Sequence, residues 1–208
     1  MIQMCAALGS RVLLACPSTR AHASDDPDHI AGDLRKLAML AWPFDIKVAF
    51  EGLSWGRHIN DCASAWAAVQ RADCPNLGLG IDSYHSLATQ TPLSALQGIA
   101  PHKIFLVQLS DFMWQEVSTP QERMETARHF RVFPVEGVHS QDLARLVLAL
   151  HAQGYRGDYS FEVFNDDHQQ LPLPTVAARA SRSATWLAEE VLRRAVPLSN
   201  APAALRPR

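Results

Sequence analysis

Short runs of large apolar and β-branched residues recur along almost the whole chain: RVLLAC (11–16), IKVAFE (46–51), LGLGID (77–82), KIFLVQL (103–109), FRVFPV (130–135) and YSFEVF (159–164). Helical stretches lie between them, a rhythm produced when parallel strands are joined by crossover helices. These stretches are DPDHIAGDLRKLAMLA, NDCASAWAAVQRA, SQDLARLVLALHAQG ending at Gly154, and a last one from about Thr175 to Arg194. Asn60 and Ser140 stand where N-caps are expected. The pattern predicts an α/β fold with six parallel strands.

A closed (β/α)₈ barrel takes roughly 250 residues and eight strands. This chain has 208 residues and offers six, and its first segment, MIQMCAALG, reads as the back half of a helix with no strand before it. The expected architecture is a TIM barrel lacking about its first two βα units, over residues 1–195, with a flexible tail over 196–208. A smaller doubly wound open sheet is the alternative. An incomplete barrel would expose strand edges, which invite pairing between copies and so a homo-oligomer.

Composition narrows the function. Nineteen basic and 21 acidic side chains give a net charge of −2, and 48% of residues are hydrophobic. That is ordinary globular chemistry, and the lack of a clustered basic surface argues against nucleic acid as main partner. No apolar run reaches the ~18 residues of a membrane span. The N-terminus carries an A-x-A sequence at Ala21–Ala23 but no basic n-region, and Gly9-Ser10-Arg11 interrupts its apolar stretch; a cytoplasmic protein is expected rather than an exported one. Cys5, Cys16, Cys62 and Cys74 form no CxxC pair and read as reduced thiols.

Four runs end in polar groups where α/β folds place their active sites, at the carboxyl ends of strands: Glu51, Asp82, Gln108 and Glu162. Successive groups are one βα unit of about 30 residues apart, with a double step from 108 to 162 that skips FRVFPV. All four are expected to converge. Singly, each acid could be a helix cap or a salt-bridge partner. Together, three carboxylates and an amide need a cation, and oxygen donors without thiolate favour Mg²⁺, Mn²⁺ or Co²⁺. Arg57 and His58, in the loop after Glu51, are candidates for binding an anionic small-molecule substrate, although a surface arginine and a capping histidine would look the same. Asp111, just past Gln108, could orient a site residue or act as a simple cap, and the cap is slightly preferred.

The segments FEGLSWGRHIN, LGLGIDSYHSL, KIFLVQLSD, RHFRVFP and YSFEVFND resemble the xylose-isomerase-like TIM-barrel superfamily, also called sugar phosphate isomerases/epimerases. Within it they are similar to the bacterial 3-dehydroshikimate dehydratases, over about residues 1–193. The resemblance implies that Glu51, Asp82, Gln108 and Glu162 bind a divalent cation and that His85, three positions after Asp82, lines the substrate site. It also singles out Arg128 and His129. Two departures from the family pattern are Ala127 in place of Ser, and Pro134-Val135-Glu136-Gly137 in place of PGxG.

The implied reaction is dehydration of 3-dehydroshikimate to protocatechuate through a metal-stabilised enolate, with His85 as the candidate base. A metal-dependent sugar or sugar-phosphate isomerase or epimerase would share the proton abstraction. A non-catalytic fragment that associates through open strand edges is the reading from a different class. If two front units are missing, the cation site is expected to survive while turnover falls, since lost loops no longer position the substrate.

Overall fold

The computed structural model describes residues 1–193. The tail expected over 196–208 lies outside the described residues, as does the far end of the last expected helix. Five parallel strands form one sheet in chain order: β1 (Val12–Ala15), β2 (Lys47–Glu51), β3 (Leu77–Asp82), β4 (Ile104–Leu109) and β5 (Tyr159–Phe161). Every neighbouring pair is parallel. Crossover helices α2 (Pro27–Ala41), α3 (Cys62–Ala72) and α6 (Ser140–Ala152) bury apolar stripes such as Leu143, Leu146, Val147 and Leu150. These pack with Val48, Phe50, Leu79, Ile81 and Val107 into one core, by the burial of apolar surface that dominates folding.

Strand residues alternate faces, so Leu14, Ala49 and Gly80 point away from that core and toward one another. A Cβ at Gly80 would lie 2.8 Å from Leu14 Cδ1 and 3.7 Å from Ala49 Cβ. The same alternation carries Glu51 and Asp82, two residues further along their strands, onto this second face.

The expected sixth strand is absent among the described residues. FRVFPV makes only isolated antiparallel bridges, Val132 with Asp111 and Phe130 with Asn165, and β5 pairs directly with β4 through Gln108 and Ser160. The backbone groups of FRVFPV are engaged elsewhere. Val132 exchanges both hydrogen bonds with Asp111, Arg131 N–H donates to Phe164 C=O, and Pro134 has no N–H to donate. The step from Gln108 to Glu162 is therefore one long connection between adjacent strands, not a double step across a sixth.

The N-terminal segment does form a helix, α1 (Ile2–Ala7), leading into β1. Two expected caps move by one residue. α3 is capped by Asp61, in a reciprocal box with Ser64, instead of Asn60, and His139 occupies the N-cap position of α6 instead of Ser140. Gly154 follows α6 at φ 101°, where the sequence placed the helix stop. Two short helices complete the upper loops: α4 (Ser83–Ala88) and α5 (Pro120–His129), the latter opened by a capping box between Thr119 and Glu122. The last helix, α7 (Leu173–Thr185), runs into a π-helical turn at Trp186–Val191.

The turn after FRVFP is a strained point. Glu136 N–H donates to Phe133 C=O (3.0 Å), with Pro134 and Val135 between them, and Val135 sits at φ 76°. That conformation suits glycine.

Candidate metal and active site

Glu51 ends β2, Asp82 ends β3 and caps α4, and Gln108 is one residue from the end of β4, paired in register with Asp82. Glu162 follows β5, where its N–H donates to Leu109 C=O. His85 lies on the first turn of α4. Glu51, Asp82 and His85 each offer an atom within 4.8 Å of the other two. His85 Nε2 is 3.7 Å from Asp82 Oδ2 and 3.9 Å from Glu51 Oε2, and all three residues are buried.

Sequence reasoning passed over the residue that ties this cluster together. Arg131 is 3% exposed; its Nη1 donates to Asp82 Oδ2 (2.6 Å) and Glu162 Oε2 (3.0 Å), and its Nε donates to Ala127 C=O (2.9 Å). The guanidinium also lies 4.6 Å from the centre of the Tyr84 ring. The available signal was a lone arginine inside an otherwise apolar run.

Burial pushes the Glu51 carboxyl well above its usual range, and the nearby charges of Asp82 and Glu162 push it further. Burial also raises Glu162, with help from Asp82, to about 7. For Asp82 burial opposes ionisation, but the Arg131 guanidinium, His85 and the Tyr84 N–H (2.7 Å from Oδ1) outweigh it and hold the carboxyl below its ordinary value. Burial lowers His85 to about 4, so the imidazole is neutral at working pH. Its Nδ1 has two neighbours, Ser54 Oγ at 3.0 Å and the Ser54 N–H at 3.3 Å. Donation to the hydroxyl would leave a lone pair on Nε2, whereas acceptance from the N–H would place the proton there.

The arrangement can be tested as a cation site. Three carboxyl groups face one guanidinium, which leaves two formal negative charges if all are ionised. Glu51 Oε1 and Gln108 Oε1 are buried without a hydrogen-bond partner among the described residues, a costly state for polar atoms. Unpaired oxygens beside an under-neutralised acid cluster fit a divalent cation with oxygen ligands.

The other sequence candidates separate. A cavity of about 360 Å³ opens over the acids and is lined by Cys16, Glu51, His85, Arg128, Arg131 and Glu162 among others. Arg128 is therefore at the mouth. His129 turns aside to pair with Asp166 (3.1 Å). Arg57 is exposed and does not line that cavity, and His58 Nε2 contacts Ala23 C=O (3.1 Å) beside a second cavity under the loop after β1. Asp111 accepts from the N–H groups of Phe112 and His139, closing the loops around α6 rather than facing the acids.

A parallel α/β sheet with carboxylates, an imidazole and a cavity at its carboxyl edge is the arrangement in which TIM barrels place their active centres. The chain belongs to the xylose isomerase-like TIM-barrel family, whose profile matches residues 1–190. It is 36% identical over 183 residues to a 3-dehydroshikimate dehydratase of Pseudomonas putida and 37% identical over 183 residues to one of Pseudomonas aeruginosa. Each match covers 88% of this chain and 28% of the relative, so the chain spans under a third of those proteins. A solved xylose isomerase-like TIM barrel/4-hydroxyphenylpyruvate dioxygenase fusion protein superposes with a TM-score of 0.83 at 33% identity, covering 94% of this chain and 32% of that one. The IOLI protein, solved with a zinc atom, shares the fold with a TM-score of 0.78 at 22% identity, over 92% of this chain and 67% of that one. Among the described residues no helix is long and apolar enough to cross a membrane.

Proposed function

We propose that this chain carries the catalytic site of a divalent-metal-dependent lyase that dehydrates 3-dehydroshikimate to protocatechuate. The observation that supports it most is the meeting of Glu51, His85 and Glu162 at one cavity, with Asp82 buried directly against them, in a chain 36% identical to a dehydratase of that name. Glu51, Asp82, Gln108 and Glu162 would hold the cation. When bound, it supplies Lewis-acid charge to the ketone oxygen of the substrate.

The reaction removes a proton from the carbon beside the ketone and expels the β-hydroxyl as water. His85 is the proposed base. It is neutral at working pH, and its Nε2 faces the acids. Arg128, at the cavity mouth, is positioned to take the substrate carboxylate. Arg131 holds Asp82 and Glu162 in place and acts through them.

The test combines metal analysis with product detection for the wild type and Glu162→Ala. The wild type should hold a divalent cation and convert 3-dehydroshikimate into an ultraviolet-absorbing catechol acid, and the variant should lose both sharply. An isomerised product without new absorbance would replace dehydration by the isomerase or epimerase reading.

A further inference from the structure

Cys16 is the residue after β1. Ala15 pairs in register with Phe50, so Cys16 lies beside Glu51. Two residues beyond Leu14, it falls on the strand face that carries the acids. Its Sγ is 3.6 Å from Glu51 Oε2, within reach of a thiol hydrogen bond. The same oxygen has His85 Nε2 at 3.9 Å. The other oxygen, Oε1, is buried and without a hydrogen-bond partner among the described residues, as is Gln108 Oε1 on β4, beyond β3. One side of the Glu51 carboxylate is therefore occupied by neighbouring side chains, and the other is bare.

We propose that Cys16 is a positioning residue for Glu51: its S–H donates to Oε2 and fixes the carboxylate so that Oε1 is the free donor oxygen. The inference rests on the divalent-cation reading of the site and adds a residue to it. Groups that hydrogen-bond to a ligand side chain orient it, and their loss typically weakens metal affinity by about 10- to 100-fold. A thiol is a weak donor, so the lower end applies. Serine can still donate from this position, whereas alanine cannot.

The experiment is a Mn²⁺ titration of wild type, Cys16→Ser and Cys16→Ala, with free Mn²⁺ followed by electron paramagnetic resonance and the fold of each checked by thermal melting. Cys16→Ala should bind Mn²⁺ roughly tenfold more weakly, and Cys16→Ser should recover wild-type affinity. Equal affinity of the alanine variant and wild type would overturn the proposal, and so would equal weakening of both variants. Loading the wild type with Co²⁺ supplies a further check. A near-ultraviolet sulfur-to-cobalt charge-transfer band would make Cys16 a ligand itself and overturn its positioning role. Failure of wild type and both variants to take up Mn²⁺ or Co²⁺ would instead remove the cation reading on which the proposal stands.

Discussion

Replacing Arg131 with Met keeps an apolar stem near Tyr84 and removes the guanidinium that bridges Asp82 and Glu162. The Asp82 side chain is 0% exposed and that of Glu162 is 24% exposed, and their contacts to Nη1 are 2.6 and 3.0 Å. Removing one partner of a buried ion pair leaves an uncompensated charge and costs about 3–5 kcal/mol. A chain of this size loses about 2–4 °C of melting temperature per kcal/mol, so the variant should melt about 6–20 °C below wild type at pH 7 in a chelating buffer. The gap should narrow at pH 5, where the orphaned carboxyls can take up protons. Mn²⁺ should raise the melting temperature of the variant more than that of the wild type, since a bound cation replaces the missing charge. Arg131→Lys should restore only part of the stability, because an ammonium lacks the fork that reaches two acids and a backbone carbonyl together. A variant that melts within about 1 kcal/mol of wild type at pH 7 would refute the role given to Arg131.

Two further outcomes follow from the geometry. Val135→Gly should stabilise the chain. Relief of the left-handed strain at φ 76° is worth about 1–2 kcal/mol and glycine returns about 0.5–1 in unfolded-state entropy, leaving a net gain near 1 kcal/mol by thermal melting; a lower melting temperature would contradict this. In cation-free buffer, the part of the stability that Glu162 contributes should fall as pH rises from 4.5 to about 7, because Glu162 is raised from 4.5 to about 7 in the fold and the unfolded chain releases its proton first. Glu51, also raised, acts in the same sense, whereas His85, lowered from 6.5 to about 4, acts in the opposite one. The Glu162 part is read as a difference: wild type should lose stability relative to Glu162→Gln as pH rises through this window, and a difference that stays flat would refute the assignment.

Strands β1 to β4 were legible to within a residue or two, since each is a short apolar run bounded by turn residues. The polar ends of β2 and β3 and the polar residue near the end of β4 were legible too, because alternation places them on a common face. FRVFPV failed for a reason no periodicity reveals. Its backbone pairs with the distant loop residues Asp111 and Phe164, while its arginine is drawn to acids 49 and 31 residues away, and tertiary contacts overrode local strand preference. The same event hid Arg131 as a site residue, because charge in an apolar run looks like an interruption until its partners are known. α5 was missed despite the Thr119-Pro120-Gln121-Glu122 signature, since its polar composition gives little apolar rhythm. Whether Arg57 or Arg128 faces the cavity was beyond the sequence, as loop paths depend on packing.

The groups that meet at the cavity have two kinds of address. Glu51, with Asp82 and Gln108 on the next two strands, is fixed by the backbone ladder, whereas Arg128 sits outside the sheet, at the end of α5. Substitutions in that outer segment can reshape the cavity mouth without disturbing the acids on the sheet. The rim of the cavity and its floor can in that sense vary separately, because the ladder that fixes the one does not run through the other.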